Sequence, residues 1–214
     1  MNSMSEVSDV DLDITREIIN IGLAKVADSL AIIAKETVLV NVPDVRILNP
    51  NDLDKVLPAS NPQDIVIQSD IDGDLSGQTF LIFSKTQTEN IANICIGSKD
   101  NFKGNYSALE KSLLLEISNI LTGALVTQLA NILNFKLHGL PPQFVPYRER
   151  STFLELIKNL HLSKPFILTV KTEFKNTGSI AEMPLLVVFD ADTFDKVLTT
   201  LRDKHTATGK IFVK

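Results

Sequence analysis

Four pairs of residues in this chain stand 99 positions apart: Asp13 and Ser112, Glu17 and Glu116, Asn20 and Asn119, Pro43 and Pro142. A fixed offset shared by an acid, an amide and a proline is the mark of an internal repeat, and a repeat restricts the architecture before any element is assigned. Both copies lie early in similar patterns. Asp11 to Lys35 has apolar residues at Ile14, Ile18, Ile19, Gly22, Val26, Leu30 and Ile33, the spacing of an amphipathic helix. Ser107 to Asn134 repeats it, with Leu114, Leu121, Leu125, Leu129 and Ile132 along the apolar side. Extended segments containing Pro43 or Pro142 follow each helix.

Beyond these the first half predicts strands over Ile65 to Ser69 and Gln78 to Ser84, joined by a turn at Asp70 to Asp74, and a helix over Thr86 to Ile96. The second half predicts a short extra helix over Phe153 to Leu160, strands over Phe166 to Phe174 and Pro184 to Phe189, and a closing helix over Thr193 to Arg202. Lys204 to Lys214 fits no element. The expected fold is α+β: a pseudo-two-fold, duplicated helix–strands–helix unit with a mostly antiparallel sheet and two long motif-bearing helices. One domain over residues 1–214 is expected, built of repeats at about 11–97 and 107–203, because either half alone would be poorly covered.

Helical geometry places the motif. On a helical wheel Asp13, Glu17, Asn20 and Ala24 share one face, and the apolar cluster centres on the opposite side. Ser112, Glu116, Asn119 and Gly123 occupy the same angles in the second copy. Acid and amide are therefore expected to project away from the core in both. An Asn amide donates and accepts hydrogen bonds, so it can orient a water. A carboxylate beside it can anchor a cation on a partner, or accept a proton. No basic or metal-binding group accompanies them, which leaves the motif incomplete for phosphoryl chemistry unless a partner brings those parts.

Composition narrows the alternatives. A net charge of −5 argues against nucleic acid as a partner. The one cysteine, Cys95, sits in an apolar run, reads as a small buried hydrophobe and suits a reducing cytosol. The N-terminus lacks the basic and apolar regions of a signal peptide, and no uninterrupted apolar stretch reaches membrane-spanning length. A soluble, cytoplasmic chain is expected. Asp70-Ile71-Asp72-Gly73-Asp74 puts Leu75 and Leu81 where a calcium loop needs glycine and glutamate, so it reads as a polar hairpin turn. His138, His161 and His205 lack metal-ligand spacing. Tyr147-Arg148-Glu149-Arg150 reads as a solvated connection that could contact an acidic partner.

The pattern Asp/Ser-x3-Glu-x2-Asn-x22-Pro, met twice from Asp13 to Pro43 and from Ser112 to Pro142, resembles the signature of the CheC, CheX and FliY chemotaxis phosphatases. Two copies and the chain length resemble CheC most. CheX has one site per chain and dimerises, and FliY carries a further C-terminal domain. The resemblance implies hydrolysis of the aspartyl-phosphate of a CheY-like response regulator. It implies catalytic roles for Glu17, Asn20, Glu116 and Asn119: each Asn positions the water, each Glu pairs with a lysine of the receiver. Asp13 and Ser112 would support the helix face or its contacts. Pro43 and Pro142 would shape the neighbouring strand, since proline confines a strand to an edge or a bulge. No cofactor is expected on this chain, which would act as a monomer. Mg²⁺ would come with the receiver, and the resemblance implies a CheD-like deamidase as a second partner. The competing expectation is a binding module that sequesters a receiver or a CheD-like protein without hydrolysis.

Overall fold

The computed structural model describes residues 8–47, 64–97, 106–145, 162–174, 179–190, 196–200 and 202–203. Helix α1 (Asp9–Ala34) opens on a capping box: the Ser8 hydroxyl accepts from the Asp11 amide while the Asp11 carboxylate accepts from the Ser8 amide. It ends where Lys35 turns left-handed at φ 55°. Strands β1 (Val38–Ile47), β2 (Ile65–Gly73) and β3 (Gly77–Phe83) follow, then helix α2 (Lys85–Ile96). Helix α3 (Ala108–Leu133) repeats the design of α1. Its capping box joins Ser107 to Glu110, and Asn134 closes it in the left-handed region at φ 56°. Both helices have 26 residues, and both their N-caps and their C-caps are separated by 99 positions, the offset of the motif.

Strands β4 (Leu137–Gly139), β5 (Gln143–Val145), β6 (Leu162–Phe174) and β7 (Ser179–Asp190) come next, and residues 196–200 and 202–203 are helical. All seven strands form one antiparallel sheet in the order β1-β6-β7-β3-β2-β4, with β5 also on β2. Read from either edge the order is the same once the halves are exchanged. With β4 and β5 together answering to β1, the first strand of each half pairs with the second strand of the other, and the last strands β3 and β7 meet in the middle. The fold is α+β with an antiparallel sheet, as the pattern of elements predicted.

The core lies between the sheet and the long helices. Ile14, Val26 and Leu30 of α1 pack with Leu114, Leu121, Leu125 and Leu129 of α3, and with Ile67, Leu81, Phe83, Val187 and Phe189 of the sheet. Burying each such side chain is worth roughly 1.5–3 kcal/mol. The apolar side of α3 is broader than its sequence stripe, because α1, α2, β2 and β4 all pack on it. Leu113, Ile117, Ser118, Thr122, Val126 and Leu133 are buried as well. Helix α3 is also, over Ala108–Asn131, long and apolar enough by length and composition alone to cross a membrane, as core helices can be. Half of that stretch is buried within the fold.

The acidic run at 70–74 differs from its expected turn. Strand β2 continues to Gly73, because Asp70 and Ile71 pair with Gln78 and Gly77 on one side and Ile71 to Gly73 pair with β4 on the other. Only residues 74–76 turn. The Asp70 carboxylate accepts from the side-chain amides of Gln68 and Gln78, both at 2.9 Å. The expected helix at Phe153 to Leu160, the stretch Tyr147 to Arg150, His161, and the tail from Lys204 lie outside the described residues.

Candidate active site

The second motif copy stands on a stripe of α3 that the core leaves bare. Ser112, Glu116, Asn119 and Gly123 are all exposed, while most of the rest of the helix is buried or half-buried. Beneath the stripe the Thr122 hydroxyl meets the Thr79 hydroxyl of β3 at 3.0 Å, and Thr79 also donates to the Ser69 carbonyl at 3.3 Å. This buried link fixes the rotation of α3 on the sheet.

The chain beyond α3 folds back as a wall beside the stripe. Its start is clipped to the end of β2: the Asp74 amide donates to the Lys136 carbonyl at 2.9 Å, and the Lys136 amide to the Asp74 carboxylate at 2.7 Å. Gly73 makes the close approach possible. Its φ of +125° suits glycine, and a Cβ there would run into the Lys136 carbonyl oxygen. Farther on, the Leu140 amide donates to the Asp70 carbonyl at 2.8 Å. Gly139 lies against Thr122 and Val126, where an added Cβ would touch the Thr122 methyl at 3.5 Å. The result is an open groove of about 370 Å³ lined by Ser112, Leu115, Glu116, Asn119, Gly139, Pro141 and Pro142. Residues 30 positions apart in sequence, Ser112 and Pro142, thus share one groove with the acid and the amide.

The first copy is arranged differently where it is described. Asp13 is exposed and pairs with Arg16 of the same helix at 3.2 Å. Asn20 is half-buried and engaged in a contact, rather than open as the wheel predicted. Helix α1 packs along both α3 and β1. Glu17 lies within α1, and its side chain is outside the described part, as is that of Pro43. The backbone at Pro43 lies in β1, an edge strand, inside the register shift between Asn41 and Asp44. Edge and bulge are where a strand tolerates a residue without an amide hydrogen.

Other features escaped the sequence reading. Asp11 is buried, and the Arg202 guanidinium closes on it with two hydrogen bonds of 2.9 and 2.7 Å. Hydrogen bonding to Arg202, with help from Ser8, outweighs burial and holds the carboxyl down at about 2. The Ser8-x-x-Asp11 spacing was a capping signal; the arginine 191 residues away had none. Lys25 was also missed. It lines a second groove between α1 and α3 that Asn119 shares with Val26, Ser29, Gly123 and Thr127. Cys95 is half-buried, and burial, with Glu36 adding to it, pushes its thiol up to about 11, which suits an inert packing residue.

Two long helices on one face of an antiparallel sheet, with strands of two halves interleaved, define a fold met in known proteins. It superposes on FliY of Thermotoga maritima with a TM-score of 0.68 at 18% identity, covering 94% of this chain and 100% of that one. A chain of the FliG–FliM complex from H. pylori gives 0.64 at 14% identity, with 90% and 100% covered. At such identities the likeness is one of fold. In sequence, the CheC-like family model matches residues 109–145, the span from the first turn of α3 through β5 that builds the groove. The CheY-P phosphatase CheC of Bacillus subtilis (strain 168) is 23% identical over 205 residues, which are 94% of this chain and 98% of that protein. Both matches liken the chain to CheC proteins.

Proposed function

We propose that this chain is a protein phosphatase that hydrolyses the aspartyl-phosphate of a CheY-like response regulator. The groove that gathers Ser112, Glu116, Asn119 and Pro142 carries the reading. It is shallow and open, so it suits a protein surface bearing a small reactive group better than a buried small molecule. Its polar side chains stand on a rigid helix pinned to the sheet, which is what positioning a reactant requires. Similarity to a protein named as a CheY-P phosphatase supports the substrate class.

The chemistry asks little of this chain. A water attacks phosphorus, the bond between phosphorus and the aspartyl oxygen breaks, and inorganic phosphate leaves the free carboxylate. Asn119 accepts a hydrogen bond from the water with its amide oxygen and orients the attack. Glu116, three residues away on the same bare stripe, anchors a lysine of the receiver. Ser112 and Pro142 border the contact. Asn20 and Glu17 take the same roles in the first copy. Mg²⁺ on the receiver would neutralise charge at the phosphoryl oxygens.

The test is the decay of a purified, phosphorylated CheY-like receiver. This protein is expected to shorten its half-life in catalytic amounts. An unchanged half-life with stoichiometric binding would replace hydrolysis by sequestration of the receiver. Binding of a CheD-like protein alone would make the chain a regulator of that partner.

A further inference from the structure

Asn119 stands on a ridge between two grooves. One holds the motif residues; the other, of about 310 Å³ between α1 and α3, is lined by Lys25, Val26, Ser29, Gly123, Thr127 and others. Lys25 is exposed and its ammonium has no ion-pair partner among the described residues. Its counterpart 99 positions on is Ala124, which lines the same groove. The cation therefore stands on one side only, and the repeat does not supply a second.

We infer that the groove between α1 and α3 is a second contact for the receiver, with Lys25 as its electrostatic anchor. This rests on the phosphatase reading above. A phospho-aspartate reaching Asn119 comes with the carboxylates that hold a divalent cation around it. The cation offsets part of their charge, and the phosphate and carboxylate oxygens at its rim remain anionic targets. A lysine is a compact charge on a long flexible stem, suited to meeting phosphate or carboxylate oxygens whose positions it does not dictate. The small residues Gly123 and Ala124 leave the floor of the groove low beside it. Charge complementarity of this kind acts mainly on encounter and orientation.

The experiment measures kcat and KM for decay of the phosphorylated receiver at several salt concentrations, with Lys25→Glu, Lys25→Ala and Lys25→Arg, alongside thermal unfolding of each. Lys25→Glu is expected to lower kcat/KM at low salt by about tenfold, mostly through KM. Lys25→Ala is expected to fall between it and the parent, and Lys25→Arg to keep the parent's value. The salt dependence should flatten in the glutamate and alanine variants. Glutamate and alanine variants with the parent's kinetics would overturn the inference while leaving the phosphatase reading intact. So would an arginine variant as slow as the alanine one with a lowered Tm, which would mark the residue as structural. A parent protein that leaves the half-life of the phosphorylated receiver unchanged overturns both readings.

Discussion

Arg202 grips Asp11 with two hydrogen bonds, joining the last described helical turn to the first turn of α1. The same carboxylate closes the capping box with Ser8, so one buried acid holds the start of α1 and the last described helical turn together. Its carboxyl is held at about 2, below the ordinary 3.8. The depression stabilises the folded state by roughly 2 kcal/mol at neutral pH. This contribution is complete above the unfolded value near 3.8 and is lost as pH falls through the folded value. Asp11→Asn is expected to unfold about 2 kcal/mol more easily at pH 7. The gap to the parent should narrow as denaturant melts are run from pH 5 down to 2. A constant gap would mean that the charge on Asp11 does not matter.

Gly73 and Lys136 form the second fixed point of the architecture. Gly73→Ala forces a side chain against the Lys136 carbonyl and demands φ of +125° from a residue that rarely adopts it. The wall from Leu137 to Pro142 hangs from this point. The variant is expected to lose at least about 2 kcal/mol of stability, since both clash and backbone strain oppose it. In folded material, phosphatase activity should fall further than an equally destabilising core change such as Leu125→Ala makes it fall. Equal losses would show that the wall is not needed for the site.

The Asn pair tests the chemistry. Asn119 is exposed and Asn20 half-buried, so neither fills the centre of the core. Asn20→Ala with Asn119→Ala is expected to slow receiver dephosphorylation by about a hundredfold or more, the scale of losing one preorganised polar group in an active site. Circular dichroism and Tm should stay near those of the parent. A large fall in Tm would reassign the residues to structure.

The long helices, the motif register and most strands were legible in the sequence because each rests on local periodicity. Helices α1 and α3 fall within two residues of their expected bounds, since Ser8, Ser107, Lys35 and Asn134 cap them in ways that local chemistry dictates. The extension of β2 through Gly73 was not legible. It depends on pairing with β4, 64 positions beyond in sequence. The bare stripe of α3 was legible from the wheel, yet its groove was not: Gly139 and Pro141 carry no chemical signal, and the clip at Asp74 and Lys136 together with the pairing of β4 on β2 brings them beside Asn119. Arg202 was illegible for the same reason. Pairs made by tertiary structure leave no mark on spacing.

Glu116 decides between the two roles open to a carboxylate beside a positioned water. As an anchor for a receiver lysine it acts on binding; as a proton acceptor it acts on the chemical step. The first copy would mask the answer, so the measurement belongs in an Asn20→Ala background, where only the groove of the second motif copy reports. There Glu116→Gln is expected to raise KM for the phosphorylated receiver tenfold, the equivalent of about 1.4 kcal/mol, and to change kcat little. Asn119→Ala in the same background is expected to lower kcat instead. If Glu116→Gln lowers kcat with KM unmoved, the anchor role is wrong and the carboxylate belongs to the proton transfer. The two side chains share one groove and one helical stripe, so a split between KM and kcat could not come from a common structural defect.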